Sequence, residues 1–170
     1  DWTISEVTNF TEEEILEGLL ANSKYKPVES GKIYNIVNMG YGTVIYENTN
    51  GNQVRCQSAD KSKFSQYWRI INENGKYYIQ NVLSERYIKK QNGAFSQIYS
   101  TSATKSASAN GFTLSKTDND TEYTYAIVDQ NPAGLHCDAS SNVVGWYYTD
   151  NNNSIWGFQP VEVTEEEIAE

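Results

Sequence analysis

The residues that could support covalent chemistry are few in this 170-residue chain. His136 is its only histidine, and it lies beside Cys137, one of two cysteines. A cysteine nucleophile needs a base within reach, but neighbouring residues of a strand point to opposite faces. The sequence also lacks a Gly-x-Ser-x-Gly segment and a glycine-rich phosphate loop. We therefore predict no enzyme active site, although a pair of carboxylates acting on glycosides needs no sequence motif and stays open.

Sugar binding requires a different set of residues. An aromatic face packs on the apolar face of the sugar ring, while carboxylates and amides bond its hydroxyl groups. The chain is rich in these residue types, with 13 tyrosines and 4 tryptophans. Because tyrosine and asparagine are common in any β protein, their abundance alone indicates no site. Their positions in the fold must decide.

The two cysteines, Cys56 and Cys137, do not have the spacing of metal ligands, so we predict no metal site and no cofactor. Each lies two residues after an apolar strand residue, Val54 and Leu135, and strand alternation then turns both inward. Two buried free thiols are the favoured interpretation. A disulfide between repeats is the alternative.

The net charge of -9 comes from the ends of the chain. Residues 1–30 carry seven acids and two lysines, and residues 164–170 carry four glutamates. Between them, 11 acids balance 11 bases, so the basic stripe that a nucleic acid requires is missing. No apolar run approaches the roughly 18 residues of a membrane span. We predict no nucleic-acid partner and no membrane insertion.

A threefold repeat organises the middle of the chain. Tyr34-x-Ile36-x-Asn38 returns as Tyr77-x-Ile79-x-Asn81 and as Tyr125-x-Ile127-x-Asp129. Each copy is followed by three further apolar or aromatic anchors at similar spacing. These anchors are Val44, Tyr87 and Leu135, then Val54, Ile98 and Val144, then Trp68, Phe112 and Trp156. The pattern predicts four strands in each of three units.

Turn signals such as Asn50-Gly51, Asn74-Gly75 and Asn92-Gly93 separate the predicted strands. Such units also build propellers, but a propeller needs at least about four blades to close. Three four-stranded units can close instead as a six-stranded barrel with three hairpins. We therefore predict an all-β chain, with a pseudo-threefold β-trefoil domain over residues 31–163.

The flanking segments differ from the repeats. Thr11-Glu12-Glu13-Glu14-Ile15 begins a helix with a capping box, so residues 1–30 are predicted to form an N-terminal helical arm or linker. Its apolar stripe would cover either the first repeat or a neighbouring domain. Residues 164–170 repeat the same pattern and predict the start of a following helix, or a frayed linker.

One segment resembles a known family. Gln66-Tyr67-Trp68 is similar to the Gln-x-Trp signature that ends each repeat of ricin-B-type lectin domains, and Gly134 to Asp138 resemble the segment that carries their sugar-binding aspartate. The chain is most similar to the divergent versions found on secreted bacterial polysaccharide-acting proteins. The resemblance implies a carbohydrate-binding β-trefoil. This chain differs from the family in lacking the disulfide that is usual in each repeat.

Strand alternation selects the residues of the third repeat that would meet a sugar. If Leu135 faces the core, Asp138 lies outward three positions later. The next strand presents Tyr147, or Trp146 if the register slips by one residue. The polar pair before the closing aromatic residue adds Asn153. The third repeat thus combines an acid, an aromatic platform and an amide.

The other repeats are less complete. The first offers Glu47, Gln57 and Gln66 at the corresponding positions, with no clear platform unless Tyr46 or Tyr67 supplies one. The second has Lys90 in place of the acid, so we predict no site there.

The sequence therefore favours a non-catalytic carbohydrate-binding module of a larger, secreted or cell-surface protein. We expect its partners to be a neutral glycan or polysaccharide, bound weakly and best in the third repeat, and covalently linked neighbouring domains. The alternatives are a protein-interaction trefoil and a structural spacer within a multidomain enzyme. The sequence does not indicate which sugar is bound.

Overall fold

The computed structural model describes residues 24–117, 123–149 and 151–169. Over these residues the chain forms twelve strands and two short α-helices, which confirms the all-β prediction. The strands are β1 (Ile33–Asn38), β2 (Val44–Glu47), β3 (Val54–Gln57), β4 (Trp68–Glu73), β5 (Lys76–Asn81), β6 (Tyr87–Ile88), β7 (Thr101–Ser102), β8 (Thr113–Lys116), β9 (Thr124–Gln130), β10 (Ala133–Cys137), β11 (Val143–Tyr147) and β12 (Trp156–Pro160), and the helices are α1 (Ala107–Asn110) and α2 (Glu165–Ala169). The predicted helix that begins at Glu12 lies outside the described residues.

Six strands form a closed barrel. The pairs β1–β4, β4–β5, β8–β9, β9–β12 and β12–β1 are antiparallel ladders. The remaining junction, between β5 and β8, is closed by two backbone hydrogen bonds of 2.8 and 2.9 Å between Tyr77 and Phe112. The other six strands pair as three hairpins, β2–β3, β6–β7 and β10–β11. Closure leaves the barrel without an open edge.

The pairing registers show the threefold relation directly. Each repeated isoleucine lies opposite the residue two positions after a closing aromatic: Ile36 opposite Phe158, Ile79 opposite Ile70, and Ile127 opposite Leu114. Each repeated tyrosine lies opposite the closing aromatic of its own repeat: Tyr34 opposite Trp68, Tyr77 opposite Phe112, and Tyr125 opposite Trp156. The predicted pseudo-threefold β-trefoil is therefore confirmed.

The core is built from the repeated residues. The three isoleucines and the three closing aromatics are fully buried. The two tryptophan indoles also make the same bond, since Trp68 Nε1 donates to the Ile45 carbonyl at 3.0 Å and Trp156 Nε1 donates to the Leu135 carbonyl at 2.9 Å. These bonds make Ile45 and Leu135 equivalent.

The predicted second anchor is one residue too early in the first and second repeats, and correct in the third. Ile45 and Ile88 are fully buried and follow their isoleucines by nine positions, whereas Leu135 follows Ile127 by eight. The predicted anchors Val44 and Tyr87 are therefore wrong, because the third repeat has the shorter turn. The buried third anchors are likewise Val54, Tyr99 and Val143 rather than Ile98 and Val144.

The two cysteines follow the favoured sequence interpretation, and a short helix lies near the C-terminal end of the described residues. Cys56 and Cys137 are buried free thiols that contact each other across the first and third repeats. At the start of α2, the Thr164 hydroxyl accepts from Glu167 N and also bonds the Glu167 carboxylate. The hydroxyl therefore caps the first turn of the helix, whereas in a full capping box the Glu167 carboxylate would accept from the Thr164 backbone N–H.

Candidate functional site

The outward face of the third hairpin carries His136 and Trp146. Leu135 and Cys137 face the core, so His136 between them faces outward, and its ring centroid lies 6.2 Å from that of Trp146. The buried Ser154 hydroxyl donates to the Tyr147 carbonyl at 2.9 Å. Because that hydroxyl has one proton, its 2.7 Å contact with His136 Nδ1 is a bond that the imidazole donates.

Three aromatic rings meet beside this histidine, and we call Phe95, Trp146 and Tyr147 the aromatic corner. The ring centroids of Phe95 and Tyr147 are 4.7 Å apart, those of Trp146 and Tyr147 are 5.6 Å apart, and those of Phe95 and Trp146 are 5.7 Å apart. Tyr147 is 45% exposed. The corner therefore presents aromatic surface to solvent, edged by the imidazole.

Phe95 comes from the second repeat, on the loop between β6 and β7. Asp129 accepts hydrogen bonds from Gln91 N at 2.7 Å and Asn92 N at 3.3 Å, and Ser96 N donates to the Gly145 carbonyl at 2.8 Å. The Tyr99 hydroxyl also donates to Asp129, at 2.9 Å. Burial and the neighbouring Asp129 charge raise the pKa of Tyr99. The loop is thus fixed to the third repeat by bonds to a buried carboxylate.

Asn153 lies on the other side of Ser154, against the first repeat. Its carbonyl accepts a 2.8 Å bond from Asn38 Nδ2, and its side-chain oxygen occupies the space beside Gly40 where a Cβ would stand. A side chain at Gly40 would displace this amide. The half-buried Asn153 is therefore close to the site but partly held by its neighbours.

Asp138 lies at the tip of the hairpin rather than in the aromatic corner. Its Oδ1 atom accepts from Ser140 N and Asn142 N, both at 2.9 Å, and so closes the turn. Trp146 lies opposite Gly134, four residues back, which is about 13 Å along the strand. His136, not Asp138, is the outward residue beside Trp146. Strand alternation from Leu135 turns both His136 and Asp138 outward. The sequence prediction named Asp138, which is the farther of the two from Trp146.

The first repeat does not expose the residues predicted for it. Glu47 is buried, the Thr101 hydroxyl donates to its carboxylate, and Arg86 Nε lies 3.9 Å away. The prediction that Glu47 faces outward is wrong, because the inward anchor is Ile45 and alternation turns Glu47 inward as well.

Gln66, the signature glutamine, is also fully buried. Its amide oxygen accepts from Asp60 N at 2.8 Å, and its amide nitrogen donates to the Ser58 carbonyl at 3.0 Å. The oxygen and the nitrogen of the amide thus both bond the backbone of the segment that precedes Trp68. Gln66 therefore does not belong to a sugar-binding surface.

A comparison of equivalent hairpin positions shows that only the third repeat has an aromatic residue at the position of Trp146. The residues paired with the inward anchors are Cys56, Thr101 and Gly145. The residue after each is Gln57, Ser102 and Trp146, and only the last is aromatic. Gln57 is half-buried and stays a candidate polar contact of the first repeat.

Two functional candidates were missed by sequence reasoning, His136 and Phe95. Strand alternation could have identified His136, which was considered only as a catalytic base. No sequence signal indicates Phe95, because its loop has no periodicity and its place depends on contacts with the third repeat.

Other kinds of site receive no support from the described residues. Within them, no three or more of the His, Cys, Asp and Glu side chains are grouped to hold a metal ion. The helices of the described ranges are all too short or too polar to cross a membrane. Two grooves, of about 420 and 630 Å³, flank residues 160–164 on the barrel wall, and no residue of the third hairpin lines either one.

Comparison with known proteins finds likeness in structure alone. No family model matches the sequence, and no curated protein matches it. The ricin B-like lectin of Macrolepiota procera, solved with lactose, aligns with a TM-score of 0.68 and 15% identity over 79% of this chain and 99% of its own. The Rhizoctonia solani agglutinin aligns with a TM-score of 0.65 and 19% identity over 79% of this chain and 99% of its own.

A third structure, the Polyporus squamosus lectin bound to Neu5Acα2-6Galβ1-4GlcNAc, aligns with a TM-score of 0.67 and 17% identity. The alignment covers 79% of this chain and 50% of that lectin. Together with the barrel, the three hairpins and the threefold register, these likenesses lead to one conclusion. The chain has the β-trefoil fold of the ricin B-like lectins.

Proposed function

We propose that this chain is a non-catalytic carbohydrate-binding module that binds a neutral glycan weakly through its third repeat. The aromatic corner carries the proposal, because it places exposed aromatic surface beside polar groups in that repeat. Carbohydrate binding in general is also supported by structural neighbours that were solved with lactose and with a sialylated trisaccharide. We further propose that the module works within a secreted or cell-surface protein, beside covalently linked domains.

Binding would begin with stacking of one sugar face on Tyr147 or Trp146. The imidazole of His136 and the amide nitrogen of Asn153 would then bond hydroxyl groups at the edge of that ring. Asp138 would contact only a ligand long enough to extend along the hairpin. A shallow surface with few hydrogen bonds corresponds to dissociation constants of about millimolar to micromolar.

The contact between His136 and Ser154 does not form a catalytic dyad. A serine nucleophile gives its proton to the imidazole, whereas here the imidazole donates to the serine oxygen. Ser154 is also fully buried, so a substrate carbonyl has no access to its hydroxyl. The pair instead orients the imidazole at the edge of the aromatic corner.

A glycan array followed by calorimetric titration tests the proposal. Tyr147→Ala and Trp146→Ala should each weaken binding of the best array ligand by about tenfold, which corresponds to about 1.4 kcal/mol of lost stacking. Leu83→Ala removes a 54% exposed apolar side chain from the second repeat and should leave affinity unchanged.

Absence of binding to every array glycan would refute the proposal and favour the structural spacer. Unchanged affinity in both Tyr147→Ala and Trp146→Ala would show that the binding surface lies outside the third repeat.

A further inference from the structure

We propose that the glycan site spans two repeats, with Phe95 of the second repeat as the residue that selects disaccharides over single sugars. This inference rests on the proposed function and specifies its ligand class. In it, one sugar unit stacks on Tyr147 or Trp146, and the next unit contacts Phe95.

The first support is that Phe95 is part of a built surface. Its ring contacts both other rings of the aromatic corner, at centroid distances of 4.7 and 5.7 Å. Its loop is tied to the third repeat through Asp129 and through the 2.8 Å bond from Ser96 N to the Gly145 carbonyl. Gln91 Nε2 closes the loop on itself by donating to the Gln97 carbonyl at 3.0 Å.

The second support is Gly145, against which the backbone of the Phe95 loop packs. A Cβ atom at Gly145 would stand 2.1 Å from the Ala94 carbonyl oxygen, closer than any side chain allows. The equivalent positions in the first and second hairpins are Cys56 and Thr101, which both carry side chains. Gly145 therefore permits the close approach that brings Phe95 to the corner, and it acts as a positioning residue.

The ring orientations determine what the corner can hold. The planes of Phe95 and Tyr147 are inclined by 61°, those of Trp146 and Tyr147 by 81°, and those of Phe95 and Trp146 by 44°. A pyranose ring is nearly flat and can stack on only one of these faces. A ligand that uses a second face must bend between two rings, which a glycosidic linkage allows. The added contact should favour a disaccharide over its component sugars by about three- to tenfold.

The test uses an array of monosaccharides and of the disaccharides built from them, with the wild-type chain and three variants. Wild type should bind its best disaccharide about three- to tenfold more tightly than either component sugar. Phe95→Ala should weaken binding of the disaccharide more than binding of the single sugar, so that this preference is lost, and Phe95→Tyr should retain it. Phe64→Ala, which removes a half-buried phenylalanine whose ring packs on Tyr67, is the matched control and should also retain it.

Gly145→Ala provides a second route to the same result, since it displaces the loop without altering the Phe95 side chain. If it folds, its preference for disaccharides should fall as that of Phe95→Ala does. Retention of the full preference by Phe95→Ala, or equal wild-type affinities for disaccharides and monosaccharides, would overturn the inference and leave the proposed function standing. No binding to any sugar would overturn both.

Discussion

Glu47 and Cys137 occupy the same position in the first and third hairpins, two residues after the inward anchors Ile45 and Leu135. Both are buried, although one is a carboxylic acid and the other a thiol. The carboxylate is accommodated because Thr101 donates to it and Arg86 lies 3.9 Å away. A buried charge without such partners is strongly destabilising. At this position the strand backbone turns the side chain inward in both repeats. The neighbouring side chains determine whether a carboxylate or a thiol can be buried there.

Glu47→Ala should therefore affect folding rather than binding. We expect the free energy of unfolding to fall by about 3 kcal/mol, because Arg86 and Thr101 lose their partner. Urea denaturation measures the stability, and titration with the best array glycan measures the affinity. A loss of affinity at unchanged stability would instead return Glu47 to the binding surface.

Asp138 offers a matched pair of variants. Asp138→Ala removes the acceptor of two backbone N–H groups at the hairpin tip and should lower the free energy of unfolding by about 1 to 2 kcal/mol. Asp138→Asn keeps an acceptor oxygen there and should stay close to wild type. Thermal unfolding of the two variants checks the difference. Equal stabilities for both would mean that the turn does not depend on this side chain.

At the scale of elements, each boundary between two hairpins is joined by a different buried polar contact. The first and second repeats meet through Glu47 and Thr101, and the third and first meet through the two thiols. The second and third meet through Tyr99 and Asp129. The threefold symmetry of the backbone therefore does not extend to the buried polar residues, and only the Asp129 boundary carries a loop into the candidate site.

The contact between Tyr99 and Asp129 predicts a pH dependence of stability. The folded chain raises the pKa of Tyr99, so above pH of about 10 the unfolded chain releases the phenol proton while the folded chain keeps it. The contribution of Tyr99 to stability is thus complete below that pH and declines above it, by about 1.4 kcal/mol for each pH unit.

Tyr99→Phe isolates this effect. At pH 8 the variant should be less stable than wild type by about 1 to 2 kcal/mol, because Asp129 loses a hydrogen bond. The difference should shrink between about pH 10 and pH 11, since only wild type carries the titrating phenol. Urea denaturation at each pH measures it. A difference that stays constant with pH would show that the Tyr99 phenol titrates normally in the folded chain.

At the scale of the whole molecule, the sequence predicted the barrel well and the site less well. The barrel was predictable because each buried position is repeated in three units, as Ile36, Ile79 and Ile127 show. The outward residues were not predictable in the same way. A difference of one residue in turn length places the inward second anchor of the first repeat at Ile45 instead of Val44. A shift of one residue exchanges the two faces of a strand. Phe95 was beyond prediction because a contact between repeats sets its position.

The closed barrel also predicts that the repeats do not fold alone. β1 pairs with β12 over five residue pairs and with β4 on its other side, so the last repeat completes the strand neighbours of the first. A chain of residues 24–117 would leave β1 and β8 as open edges and would lose the core residues of the third repeat, such as Ile127 and Trp156. We expect this fragment to be unfolded or aggregated, whereas the full chain should unfold in one transition by both tryptophan fluorescence and circular dichroism. A fragment that melts cooperatively as a monomer would contradict this, and would show that the pairing of β1 with β12 is not required for the first two repeats to fold.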